Sequence, residues 1–131
     1  MGFSGCSVTQ FQLDIYRTAS AAGYLPWQWL TAVVVTPIGE ETLFRGFLFK
    51  GILHSRLGGP GAIVLTALIW AVIHQQYDLY GVATVFAAGL LLGYARLRTN
   101  SIYSGLLMHA LMNLIATIEV AMVIRVAGPS P

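Results

Sequence analysis

The sequence predicts an all-α fold, a polytopic bundle of about four membrane-spanning helices preceded by an N-terminal interfacial segment. Of the 131 residues, 56% are hydrophobic and only 9% are charged, whereas a soluble domain has roughly 25% charged residues. The mean hydropathy is +0.73. Apolar stretches of near-spanning length alternate with short breaks rich in Gly, Pro or charged residues. These observations together indicate an integral, multi-pass membrane protein.

Residues 1–23 are predicted to form a juxtamembrane segment, and residues 24–126 the membrane core. Asp14, Arg17 and several Ser and Thr interrupt the first stretch, which has neither the basic end nor the apolar run of a signal peptide. Phe11 and Ile15 are spaced four apart, on one face of a weakly amphipathic turn. We therefore expect this segment to lie at the membrane surface.

Four apolar stretches are the predicted spans, at about residues 27–53, 61–75, 79–97 and 102–126. The first is interrupted by four charged residues, and the second is short. The third contains Gly89 and Gly93, whose spacing allows helix backbones to approach closely. We expect the third span to pack tightly on a catalytic helix through this stripe, although glycine is also simply common in membrane helices.

The distribution of charge predicts the orientation of these spans in the membrane and argues against one class of partner. The breaks after the first and third spans carry Arg56, Arg96 and Arg98, which places both breaks in the cytoplasm by the positive-inside rule. The net charge of +2 and the lack of a basic run argue against a nucleic-acid partner. The compact chain has no long loops or targeting signals, which favours a prokaryotic plasma membrane.

Two adjacent glutamates, Glu40 and Glu41, lie in the middle of the first span. An ionised carboxylate inside a spanning helix costs several kcal/mol, so it needs a partner, water or a raised pKa. Glu41 and Arg45 are i,i+4 neighbours on one helical face, so Arg45 can hold Glu41 ionised. Glu40 points elsewhere, which suggests one supporting and one reacting carboxylate. The alternative is a buried ion pair that only joins helices.

Pro37 precedes the glutamates by one turn, where it removes a helical hydrogen bond and clashes with the carbonyl of Val33. A kink or a loosened turn is predicted. Carbonyl groups freed beside a carboxylate pair could hold water, as a hydrolytic site requires.

Two other spans contribute polar side chains. His74 lies near the end of the second, and His109 and Asn113 share one face of the fourth because they are four residues apart. A single His on an apolar helix is usually a packing residue. Two His residues and Glu40 on three neighbouring spans, however, favour one shared site.

Three motifs resemble those of the CAAX prenyl protease and bacteriocin-processing family of intramembrane proteases, also abbreviated CPBP or Abi. Residues 40–45 are similar to its E-E-x-x-x-R motif, Trp70 and His74 to its F-x-x-x-H motif, and His109 and Asn113 to its H-x-x-x-N motif. The motifs occur in the family's order and spacing over about residues 27–116.

The resemblance implies an intramembrane endopeptidase acting on a membrane-embedded or lipidated peptide, of CAAX or bacteriocin type. It implies that Glu40 and His74 activate the attacking water, and that His109 and Asn113 stabilise the oxyanion. Glu41 and Arg45 would support them. No cofactor is expected. Zinc is the alternative, and Glu40, His74 and His109 would then be its ligands.

The chain departs from the family in two ways. Trp70 replaces the usual Phe, which keeps an aromatic wall. Family members usually have additional N-terminal spanning helices, so we expect a fragment or minimal version whose cavity could be completed by oligomerisation. Two other functions use the same polar cluster: a non-catalytic immunity or scaffold protein, and an ion or proton pathway.

Overall fold

The computed structural model describes residues 8–128, and every regular element in this part of the chain is a helix. Helix α1 (Gln10–Ala21) begins at a capping box, in which the Thr9 hydroxyl accepts from the Gln12 amide and the Gln12 side chain accepts from the Thr9 amide. Phe11 and Ile15 are 40% and 41% exposed. The predicted surface segment is thus a helix from Gln10 onward, while its residues 1–7 lie outside the described residues.

Helix α2 runs continuously from residue 25 to 53 and changes its winding four times. Its five segments are Leu25–Leu30, Thr31–Val35, Thr36–Glu41, Thr42–Leu48 and Phe49–Leu53, of which the second and fourth are π-helical. In the first π segment the Thr36 amide donates to the Thr31 carbonyl, five residues back. The next donor along the chain would be Pro37, which has no N–H. The loosened turn predicted at Pro37 is therefore present as a π-helical segment.

Three further helices complete the fold: α3 (Gly58–Val72), α4 (Leu79–Thr99) and α5 (Ile102–Ala127). The Asp78 side chain caps α4 by accepting from the Gly81 amide at 2.8 Å. Asn100 ends α4 in the left-handed conformation, with φ of 50°. The Ser101 side chain then caps α5, so a two-residue turn makes α4 and α5 antiparallel neighbours. Helix α1 contacts the start of α2 and also α5.

Two of the four predicted spans, α4 and α5, are long and apolar enough to cross a membrane. Helix α3 is apolar, but it has only 15 residues. That gives a length of about 22 Å against a hydrocarbon core of about 30 Å. Helix α2 has sufficient length, yet its charged residues interrupt its apolar character. Length and composition therefore do not confirm the prediction of four spans.

The outer face of α5 carries a continuous apolar stripe. Its members are spaced three or four residues apart and are 40–64% exposed: Leu107, Leu111, Ile115, Ile118 and Met122. Water-facing surfaces rarely expose so much contiguous apolar area, so this face suits a lipid environment.

Glycines bring α3 and α4 together. A Cβ atom on Gly89 would lie 2.9 Å from the Cβ of Ala67, and one on Gly93 would lie 3.2 Å from the Cα of Ile63. The close approach predicted for these glycines is therefore confirmed, with α3 as the partner helix.

Arg96, near the end of the third predicted span, lies within α4 and is buried in the helix bundle. It is only 3% exposed, and its Nε donates to the carbonyl of Arg45 at 3.0 Å. One guanidinium nitrogen also donates to the Asn100 side chain at 3.0 Å. This burial was not predicted from the sequence, because the acceptor is a main-chain carbonyl on α2; the ring of Phe49 also lies 5.5 Å from the guanidinium.

Candidate active site

Glu41 is the buried centre of the polar cluster. The carboxylate is 1% exposed, and its Oε1 atom accepts from Arg45 at 3.0 Å, which is the predicted i,i+4 pair. The Nδ1 atom of His109, on α5, lies 3.0 Å from the same oxygen. A carboxylate in this setting has only acceptor sites, so Nδ1 carries the hydrogen. Glu41 thus joins α2 to α5 and fixes the His109 tautomer.

Arg45 extends these contacts to two other helices. Its second terminal nitrogen donates to the carbonyl of Gly89 on α4 at 3.2 Å. Its guanidinium carbon lies 4.6 Å from the ring centroid of Trp70 on α3, within the range of a cation–π interaction. Arg45 is wholly buried, so its charge is balanced by Glu41, a carbonyl dipole and an aromatic face rather than by water.

Gly105 allows α5 to approach Glu41. A Cβ atom at this position would lie 2.7 Å from Oε2 of Glu41, closer than such contacts normally occur. Within residues 8–128 this Oε2 atom has no hydrogen-bond partner. Gly105 was not predicted from the sequence, because nothing distinguishes it from other membrane-helix glycines.

Glu40 has a different environment from its neighbour. Its side chain is 24% exposed, and its Oε2 atom lies 3.8 Å from Nε2 of His109. The same Oε2 atom accepts from the indole nitrogen of Trp70 at 2.6 Å. The two glutamates therefore contact opposite nitrogens of His109, and Glu40 is the more accessible of the two.

His74 lies just beyond the end of α3. Its Nδ1 atom lies 2.7 Å from the carbonyl oxygen of Trp70. A carbonyl only accepts, so Nδ1 carries the hydrogen and Nε2 is the basic nitrogen. The His74 and His109 rings lie 5.3 Å and 5.1 Å from the Trp70 ring, both edge-to-face. His74 is thus joined to Glu40 and His109 through Trp70.

Tyr77, in the turn between α3 and α4, also borders the cluster. Its ring lies 5.6 Å from that of His74 and 6.1 Å from that of Phe11 on α1. Burial, together with the nearby Glu40 carboxylate, raises the pKa of Tyr77 above its ordinary value. This contact was not predicted from the sequence, since a Tyr beside a membrane turn is usually an interfacial residue.

Asn113 makes its hydrogen bond away from the glutamates. Its amide nitrogen donates to the Ala32 carbonyl at 2.8 Å. This carbonyl is available because the Thr36 amide donates to Thr31 and Pro37 has no N–H. Asn113 follows His109 by one turn of α5, about 6 Å along the axis. A carbonyl is thus freed near Pro37, but it is that of Ala32 rather than Val33, and it binds an amide of the chain.

Some of the predicted site residues contact one another directly, and others are connected only through a third group. Direct contacts join four of them: Glu40, Glu41, Arg45 and His109. His74 joins through Trp70, and Asn113 is held by the main chain of α2. Within the described part of the chain, no three His, Cys, Asp or Glu side chains form a group that could hold a metal ion.

Helices with lipid-compatible faces around a buried cluster of carboxylate, guanidinium and imidazole groups define a helical membrane protein with a polar site. The chain belongs to the Rce1-like family of type II CAAX prenyl endopeptidases, whose family model matches residues 22–115. This range contains all six predicted site residues. The family assignment made from the three motifs is confirmed.

A relative from Escherichia coli, described as an uncharacterized 24.3 kDa protein, is 36% identical over 84 residues. The matched part is 61% of this chain and 38% of that relative, so the chain corresponds to well under half of the relative's length. No solved structure matches the chain.

Proposed function

We propose that this chain forms the reaction core of an intramembrane endopeptidase in which Glu40 activates water. The observation that carries the proposal is the difference in partners and exposure between the two glutamates. Glu41 is neutralised by Arg45 and His109, whereas Glu40 is partly exposed and faces the second nitrogen of His109 at 3.8 Å. A general base must be accessible to water and lie beside the group that it serves.

In the proposed reaction, the oxygen of a water molecule attacks the scissile carbonyl carbon as Glu40 takes its proton. His74 assists, because its Nε2 atom is the nitrogen left basic by the bond to Trp70. The proton then passes to the leaving amine as the C–N bond breaks. No Ser or Cys nucleophile is required.

The negative charge on the carbonyl oxygen needs hydrogen-bond donors. We assign this role to His109 and Asn113. In this proposal His109 donates to the oxyanion through Nε2 while its Nδ1–H is given to Glu41. Asn113 uses one amide hydrogen on Ala32 and has a second one to donate.

The substrate we propose is a peptide held at or in the membrane, of the lipidated CAAX or bacteriocin type. The apolar stripe on α5 supports a bilayer setting, and the four helical stretches support a multi-pass topology with α2 and α3 as the shorter or more polar passes. The bacterial relative supports a prokaryotic plasma membrane.

Zinc catalysis is the less favoured alternative. Both imidazoles have Nδ1 bound to a protein acceptor and Nε2 left over, as in many zinc-bound histidines. However, Glu40, His74 and His109 do not form a group able to hold a metal. The donor set therefore fits a metal in kind but not in arrangement, and we favour the glutamate reaction.

Cleavage of a membrane-tethered peptide by the full chain in liposomes tests the proposal. Glu40→Gln keeps the shape of the side chain and removes the base, so we expect cleavage to fall by at least about 100-fold. Glu119→Gln is the matched control, since it makes the same change about 15 Å further along α5 from His109. Equal cleavage by wild type and Glu40→Gln, or an inactive wild type, refutes the proposal. Proton flux into liposomes that is lost in Glu40→Gln would instead support a proton pathway.

A further inference from the structure

Trp70 makes a hydrogen bond that the sequence pattern did not suggest. Its indole nitrogen donates to Oε2 of Glu40 at 2.6 Å, a short distance typical of a hydrogen bond to an ionised acceptor. We propose that Trp70 is a positioning residue for Glu40, whose indole N–H fixes the carboxylate against His109. This inference rests on the proposed function, because it concerns the base of that reaction.

The hydrogen bond requires the particular side chain present. The matching position of the family motif is usually Phe, which would supply the same aromatic wall but has no donor. Exchanging Trp for Phe therefore looks conservative for packing, yet it removes a polar contact with the proposed base. The indole N–H is therefore the group that distinguishes Trp70 from a Phe at the same position.

Packing restrains the indole ring of Trp70, so its N–H has a defined position from which to orient Glu40. Trp70 is 4% exposed and belongs to the hydrophobic core with Phe44 and Leu92. The Arg45 guanidinium lies over its ring at 4.6 Å, and the rings of His74 and His109 pack against it in edge-to-face geometry. A buried ring with only two side-chain torsions loses little freedom in this arrangement.

Glu40, in contrast, depends on an external contact for its orientation. Its side chain has three torsions and is 24% exposed, so without a partner it would sample several rotamers. The atom that receives the indole hydrogen, Oε2, is also the atom 3.8 Å from Nε2 of His109. Fixing this atom therefore fixes how the base faces the imidazole.

Steady-state kinetics of Trp70→Phe test the inference. We expect kcat to fall by about 10-fold or more with KM little changed, because a misplaced base slows the chemical step rather than binding. Trp27→Phe is the matched control, since Trp27 is 65% exposed on the first segment of α2. An unchanged kcat in folded Trp70→Phe overturns the inference.

A second measurement does not depend on activity or on the folding of Trp70→Phe. In ¹⁵N-labelled protein, the indole N–H signal of Trp70 should shift in Glu40→Gln, where a neutral amide replaces the charged acceptor, while those of Trp27 and Trp29 stay in place. An unmoved Trp70 signal overturns the inference. If Glu40→Gln abolishes cleavage but the Trp70 signal is unmoved, only the positioning role fails. If Glu40→Gln cleaves like wild type, the proposed function fails.

Discussion

His109 on α5 and Glu41 on α2 are joined through Nδ1 and Oε1, 3.0 Å apart, although 68 residues separate them in the chain. The same oxygen binds Arg45, so one carboxylate atom connects a cation and an imidazole. This contact determines which nitrogen of His109 faces Glu40. Disturbing Glu41 should therefore affect both the stability of the helix bundle and the proposed reaction.

Glu41→Gln should strongly destabilise the protein. It leaves the wholly buried Arg45 without its charged partner, and breaking a buried ion pair from one side typically costs about 3–5 kcal/mol. The check is the free energy of unfolding in detergent. Asp14→Asn is the control, because the Asp14–Arg17 pair on α1 is long and exposed and such pairs often contribute nothing measurable. Similar losses in both variants would contradict the assigned role of Glu41.

Gly105→Ala should lower stability by about 1–3 kcal/mol and reduce cleavage as well. The added Cβ would lie 2.7 Å from Oε2 of Glu41, whose carboxylate cannot easily turn away while Arg45 and His109 hold its other oxygen. Gly51→Ala, a helical position with open space around it, is the control and should be neutral or slightly stabilising. Thermal unfolding and peptide cleavage check both variants. Wild-type behaviour of Gly105→Ala would show that the approach of α5 to Glu41 is looser than described.

Asn113→Ala should cost about 1–3 kcal/mol, since it leaves the Ala32 carbonyl unsatisfied. The cost should shrink by at least about 0.5 kcal/mol when Pro37→Ala is also present, because the new N–H at position 37 can reach that carbonyl. A double-mutant cycle of unfolding free energies measures the difference. Strict additivity of the two changes would show that Pro37 is not the reason why the carbonyl is available.

Metal removal should leave cleavage intact. Purified protein is expected to contain well under one zinc per chain, and dialysis against a strong chelator should change the rate by less than about 2-fold if Glu40 acts without a metal. Elemental analysis beside the cleavage assay checks this. Stoichiometric zinc, together with activity lost on chelation and restored by zinc alone, would establish the metal-dependent alternative.

Local contacts of this site could be predicted from the sequence, and distant ones could not. The Glu41–Arg45 pair follows from helical spacing, and the loosened turn follows from the missing N–H of Pro37. The contact of Glu40 with Trp70 spans 30 residues, and it depends on how α2 and α3 are rotated, which apolar patterning leaves open when most faces are apolar. The inward turn of Arg96 was missed for a similar reason, because its acceptor is a main-chain carbonyl on another helix.

The bond from Asn113 to Ala32 ends on the polypeptide backbone rather than on a side chain. Every amino acid presents the same acceptor there, so the contact places no chemical demand on the identity of residue 32. Among related chains, position 32 should accept many substitutions, provided that Pro37 and Asn113 are retained together. Where Asn113 is lost, position 37 should then carry a residue that has an N–H, because that N–H can reach the same carbonyl.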